Sequence, residues 1–390
     1  MVRSSIPKLW LLVIAGMVAA MAVVALLWLK AEPARSATAV PKGFTDTLIA
    51  QVNKPTAMAV APDGRLFVAQ KANNNIGKLR VIKNNQLLDK PFLKVTTDTS
   101  YFQGLLGVTL DPNFSQNRYV YVFYTATSPT VHNRVSRFTA NGDVAVPGSE
   151  KVILDLPPLS AASEHNHYGG ALRFGPDGKL YVGVGDDTTP ANAQLLSSLN
   201  GKILRIDSDG TIPSDNPFDD PNNPGQKLPI WALGLRQPYS LDVLSGTSPR
   251  MFVNDVGEDT WEEIDEVASR ANYGWPTHEG PAGSPDPTSD YRDPLFYYGH
   301  GNTAETGCSI TGGAFYDPAT TRFPAQYQDD YFYADFCGGW IRSLDLTTGT
   351  SSAFASGIVK PVDLELGADG SLYYLTWGSS SAPSSVHEIK

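Results

Sequence analysis

The chain has 390 residues, 42% of them hydrophobic and 18% charged, enough to bury a large core, and its net charge of −10 leaves no basic surface for nucleic acid. Its 35 glycines and 29 prolines are spread throughout and predict many turns between short strands, an all-β composition. Such an acidic chain suits a neutral or small substrate.

Residues 10–29 form an uncharged apolar run flanked by Arg3, Lys8 and Lys30. At about 20 residues the run is long enough to span a bilayer and longer than a usual secretory leader. The expectation is an uncleaved transmembrane helix over residues 9–30 with a cytoplasmic segment 1–8; the alternative is a signal peptide cleaved at Ala37-Thr38-Ala39. In either case the remainder is exported, to a periplasmic or cell-surface position or into the medium. Cys308 and Cys337, the two cysteines, are then expected to form a disulfide. Residues 31–42, rich in Ala, Pro, Ser and Thr, read as a flexible tether, and residues 43–390 as one domain.

Within that domain one pattern recurs: an alternating strand, a turn, and a second strand ending in aromatic and β-branched residues. It appears at residues 55–68, 104–122, 165–186, 238–253, 310–335 and 361–375. Residues 134–138, 201–206 and 340–344 add further strand-like segments. Six copies with added outer strands predict a six-bladed β-propeller of four-stranded antiparallel blades around a central channel. The Pro, Asn, Asp and Gly-rich inserts 207–225 and 278–302 are expected as loops over the channel mouth.

The third copy carries the most chemistry. His165 and His167 precede its first strand and Gly185-Asp186 follows its second, so a titratable base and a carboxylate emerge at one end of a hairpin. A solvent-exposed loop holding two histidines is the plainer alternative. His-x-His would also fit a metal on a strand, but no third nitrogen or thiolate ligand lies nearby in sequence. Residues just before each blade's first strand converge on the axis, which collects Gln103, His167, Arg236, Gln237 and Lys360 into a polar, partly cationic ring. Such a ring suits an anionic cofactor or a reaction that develops negative charge, or it is simply hydrated. The acidic run 254–265, followed by Asn272-Tyr273-Gly274-Trp275-Pro276, is either a hard-cation site without EF-hand spacing or a solvated acidic turn.

Together these residues resemble the glucose/sorbosone dehydrogenase family, six-bladed propellers that include soluble pyrroloquinoline-quinone-dependent glucose and aldose sugar dehydrogenases. The resemblance rests on Gln103-Gly104-Leu105-Leu106-Gly107, the run 167–186, Gly201-Lys202-Ile203-Leu204-Arg205-Ile206, Gly234-Leu235-Arg236-Gln237-Pro238, Trp261-Glu262-Glu263-Ile264 and Ser309-Ile310-Thr311-Gly312-Gly313. It implies oxidation of the C1 hydroxyl of an aldose to a lactone, with electrons leaving to an external acceptor. His167 would be the base, Asp186 its orienting carboxylate and Arg236 the stabiliser of charge on the quinone oxygen. Gln103, Gln237 and Lys360 would contact the quinone, calcium would be bound at Gly257 and Glu258, and a second, structural calcium at Glu263 and Tyr273. His165 would stand behind His167.

The chain departs from the family pattern at Gln237, where Asn is common, and at Cys337 and Val362, which fall where cofactor-binding cations stand. Three cationic contacts reduce to one, Lys360; Arg342, on a nearby strand, is a candidate to compensate, but its position alone does not show that it does. Because hedgehog-interacting-type proteins share the scaffold, a propeller that binds carbohydrate or protein without turnover is the alternative function, and a metal-assisted hydrolase or lactonase a third.

Overall fold

The computed structural model describes residues 38–160, 166–282 and 291–390. Among them no helix is long and apolar enough to cross a membrane; the apolar run 10–29 and His165 lie outside the described residues.

Six antiparallel sheets form the blades of a β-propeller, and the six sequence repeats supply the first two strands of each. The first blade opens with Pro55–Val60 and Leu66–Asn73, the second with Leu105–Leu110 and Tyr119–Ala126, the third with Leu172–Phe174 and Leu180–Val184. The fourth opens with Pro238–Leu244 and Arg250–Asp255, the fifth with Ile310–Phe315 and Tyr331–Asp335, the sixth with Pro361–Leu366 and Leu372–Thr376. Blades three to six have four strands each. In the first two, the outer edge of the third strand is shared by two segments: Gln86–Leu87 and Leu93–Thr96 pair with Ile76–Lys83, and Val144–Ala145 and Lys151–Pro158 pair with His132–Asn141.

The sixth blade takes its outermost strand from the other end of the chain. Asp46–Gln51 pairs antiparallel with Ser385–Ile389, and the Asp46 carboxylate accepts from His387 Nδ1 at 3.1 Å and Tyr374 OH at 2.9 Å. Ala39, in the segment expected as tether, exchanges two backbone hydrogen bonds with Ser356 at the edge of the fifth blade.

Strand alternation explains the core. In a stacked blade both faces are covered, so successive side chains enter different interfaces. Leu66 and Val68 pack toward the sixth blade, whereas Phe67 and Ala69 pack toward the second. Val120 and Val122 likewise face the first blade while Tyr121 and Phe123 face the third. Each neighbouring pair of blades thus encloses its own apolar cluster, and no single cluster dominates.

Parity decides which loops meet. Chain entering a first strand and chain joining second to third strands lie at one end of a blade; the first turn and the link from third to fourth strand lie at the other. Insert 207–225 links third to fourth strands, so it sits away from the channel mouth, contrary to the sequence expectation. There Lys179 holds Asp207 and Arg205 holds both Asp177 of the first turn and Asp215 of the insert. Insert 278–302 also differs from a plain loop, because Phe296–Gly299 completes the fourth blade with Tyr298 buried.

Candidate active site

An axial cavity of about 480 Å³ opens at the mouth end, lined by first-strand residues of all six blades, among them Thr56, Leu106, Leu172, Ser240, Thr311 and Val362. Below it Arg173 crosses the channel, donating to Glu365 at 2.9 Å and pairing with Asp242, so three blades are tied at the axis.

His167 lines this cavity. Its backbone adopts φ +56°, a conformation rare outside glycine, and its N–H is held by Asn166 Oδ1 at 2.9 Å. The turn fits because position 185 is glycine: a Cβ there would lie 2.1 Å from the His167 carbonyl oxygen. His167 Nδ1 stands 2.8 Å from Asp186 Oδ1. An ionised carboxylate only accepts, so Nδ1 carries the hydrogen and Nε2 is the nitrogen left to take a proton. Asp186 is fully buried and also accepts from Thr188 N at 2.8 Å and Trp275 Nε1 at 2.8 Å. Trp275 comes from the third-to-fourth-strand connection of the neighbouring blade, which is long enough to run back to the mouth, where its Glu279 meets residues 258–261; it lies in the Asn272-Tyr273-Gly274-Trp275-Pro276 run, but its contact with Asp186 cannot be read from that run.

Arg236 and Gln237 also line the cavity. Arg236 lies 5.6 Å over the Trp275 ring and donates through Nη1 to the carbonyls of Val256 at 3.2 Å and Gly257 at 2.6 Å. Its buried Nε has no hydrogen-bond partner. Gln237 Oε1 accepts from Gly169 N at 3.0 Å, tying the fourth blade to the loop that carries His167. Gln103 is buried behind the wall, donating to Tyr168 OH at 3.1 Å, while its own Oε1 lacks a partner. Lys360 is exposed, with its ammonium 5.3 Å over the cavity-lining Phe336 ring.

Where the resemblance places cations, the wall is uncharged. Val362 lines the cavity and packs with Met58, and Cys337 is joined to Cys308 in a disulfide whose Cys308 end lines the cavity. Arg342 does not reach it: its guanidinium is bonded to Ser351 and the Ala304 carbonyl.

Gly257 and Glu258 form the second-to-third-strand link of the fourth blade at the cavity wall. Glu279 shapes this link, its Oε1 accepting from the backbone N–H groups of residues 258–261. Burial alone would raise the Glu279 carboxyl, but these donors hold it below the ordinary glutamate value.

Glu263 lies behind that link, where its carboxylate, Asp255 and Asp265 bring oxygens within 4.8 Å of one another, all buried. Glu263 and Asp265 share a strand face, and Asp255 is the cross-strand partner of Glu263. Asp255 and Asp265 lie in the acidic run read as a possible hard-cation site, although the resemblance named only Glu263 and Tyr273 as ligands; the alternation Glu263-x-Asp265 was the signal that places two of the three on one face. Neither Asp265 oxygen has a hydrogen-bond donor. Desolvation pushes Asp255 up to about 7, against backbone bonds from Arg236 and Gln237, and drives Glu263 and Asp265 well above their ordinary values, with mutual repulsion adding to it. Three buried carboxylates, one wholly without donors, are a donor set that a hard divalent cation satisfies. Tyr273 stands beside them with its hydroxyl donating to the Glu266 carbonyl at 2.7 Å; burial, then the charge of Asp265, raise its pKa.

Residues 52–382 match the glucose/sorbosone dehydrogenase family, and the chain belongs to it. It is 31% identical over 346 residues to the HIPL2 protein of Arabidopsis thaliana, covering 70% of this chain and 48% of that one. The chain thus spans about half the length of the plant HIPL relatives it matches. It is 27% identical over 347 residues to the aldose sugar dehydrogenase YliI of Escherichia coli, covering 85% and 89% of the two chains. A solved Thermus structure described as a glucose dehydrogenase superposes with a TM-score of 0.75 at 27% identity, over 89% of this chain and all of that one, 100%.

Proposed function

We propose that this protein oxidises the C1 hydroxyl of aldose sugars to lactones, with pyrroloquinoline quinone as oxidant and calcium as its metal. The observation that carries the reading is the His167–Asp186 pair, 2.8 Å apart, at the wall of an axial cavity of about 480 Å³. That volume lies in the range of small-molecule sites, about 300–1,000 Å³. Family membership and the names of two relatives, an aldose sugar dehydrogenase and a quinoprotein glucose dehydrogenase of Acinetobacter calcoaceticus, support it.

His167 Nε2 takes the C1 hydroxyl proton as the C1 hydrogen departs with its electron pair. Asp186 holds the ring and stabilises the imidazolium that forms. A bound quinone would supply the acceptor for that electron pair, and a bound calcium would supply Lewis acidity beside it. Arg236 and Gln237 would hold the quinone, the unpartnered Arg236 Nε being a donor for anionic oxygen. Gln103 backs the wall through Tyr168 and Lys360 sits over Phe336; both are outer contacts. Gly257 and Glu258 would offer backbone oxygens to the first calcium, the Gly257 carbonyl being shared with Arg236. Asp255, Glu263 and Asp265, with Tyr273 beside them, would hold the second. An export setting is part of the proposal, with the propeller tethered by the apolar run 10–29 and passing electrons to an external acceptor. The Cys308–Cys337 disulfide supports an oxidising compartment.

Reconstitution of the purified protein with calcium and pyrroloquinoline quinone, followed by dye reduction with aldoses, tests the reading. No quinone binding and no aldose-dependent reduction would sink it. The uncharged wall at Val362 and Cys308–Cys337 favours a second reading, ligand binding without turnover. Replacing His167 by Ala separates the two: an oxidase loses turnover by at least about 100-fold, whereas a binder keeps its ligand.

A further inference from the structure

Besides the His167 imidazole, two cationic side chains line the cavity among the described residues: Arg236 on the fourth-blade side and Lys71 on the first. Lys71 belongs to the second strand of the first blade, a position the resemblance does not single out. Its side chain is half-buried, and among the described residues no carboxylate lies within ion-pair distance of its ammonium. Instead the ammonium donates to the Tyr101 carbonyl and lies 5.7 Å over the ring of Phe102, which also lines the cavity. The stem is confined: a Cβ on Gly104 would come 2.8 Å from Lys71 Cγ, and the Lys71 N–H donates to the Lys54 carbonyl at 3.0 Å. Burial, then the nearby charge of Lys54, hold the ammonium below the ordinary lysine value, the signature of a cation lacking a counter-charge. The carboxylates on the same wall are engaged elsewhere, Glu365 by Arg173 and Asp363 by the Met58 and Leu364 N–H groups.

We propose that Lys71 binds a carboxylate of the quinone cofactor from the first-blade wall, supplying charge that Val362 and Cys337 do not. The inference rests on the proposed function. A tricarboxylate in this cavity meets one guanidinium on one side, and a pre-positioned ammonium that among the described residues donates only to the Tyr101 carbonyl is its natural second partner.

Equilibrium titration of pyrroloquinoline quinone into the apo protein with calcium, read by quenching of tryptophan fluorescence, tests it without turnover. Lys71→Gln is expected to weaken binding about 10- to 100-fold, and Lys71→Arg to keep it within about 3-fold of wild type. With the trimethyl ester of the quinone, which lacks the carboxylate charges, wild type and Lys71→Gln should bind alike. Matched melting temperatures of the apo forms show that the fold is kept. Equal affinity of wild type and Lys71→Gln for the free acid overturns this inference and leaves the proposed function standing. Absence of quinone binding in wild type overturns both.

Discussion

Gly257 shows how little freedom the site leaves at single positions. A Cβ there would lie 1.7 Å from the Trp261 carbonyl oxygen and 2.7 Å from Glu279 Oε1, so Gly257→Ala must displace the link that also receives Arg236. We expect that variant to lose quinone binding in the fluorescence titration and to melt lower than wild type. Asp186 gives a different residue-scale prediction. Asp186→Asn leaves the Trp275 and Thr188 donors in place but offers His167 an amide that no longer fixes its tautomer, so kcat should fall about 10²- to 10⁴-fold with KM little changed. The His167–Asp186 pair was legible because His167 precedes the first strand and Asp186 follows the second strand of one hairpin, and a hairpin brings its two ends together whatever surrounds it. Trp275 was not, since its contact with Asp186 bridges 89 positions and two blades.

At the scale of elements, the second and third strands of the fourth blade carry the three buried carboxylates. Their desolvation is unfavourable without a counter-charge, so calcium should raise the melting temperature and a chelator lower it. At 100 times its dissociation constant the ion adds about 2.7 kcal/mol, and Asp265→Asn should abolish most of that response in a melting series with and without calcium. The disulfide joins two mouth segments 29 positions apart, the lead into the fifth blade and the link between its second and third strands. Replacing both cysteines by Ala should lower unfolding free energy by about 3–4 kcal/mol, measurable by denaturant titration. Strand pairs were readable from alternation and Pro-Asp-Gly turns. The end of a blade at which an insert emerges was not, because it depends on counting strands, and Phe296–Gly299 hid within an insert that looked like loop. Insert 207–225 accordingly sits at the end opposite the channel mouth, beside the first turn of its blade.

For the whole molecule, six repeats were enough to give the blade number, yet the partner of Asp46–Gln51 was beyond any local pattern, since it belongs to the last blade. Asp46 fastens that closure. Burial would raise its pKa, but the hydrogen bond and charge of His387, with Tyr374, hold it below the ordinary value of 3.8. A depressed carboxylate pKa contributes stability that is present above 3.8 and lost as pH falls through the folded value. Asp46→Asn should therefore cost about 1 kcal/mol at neutral pH and nothing in the acid range below the folded pKa, as read from denaturant unfolding at several pH values. The closure also sets an order in time. Asp46 and His387 are 341 positions apart, so the first strand to be made is the last to find its partner. Five blades can assemble behind it while it waits as an open sheet edge, and the ring becomes a single cooperative object only when the final strand arrives.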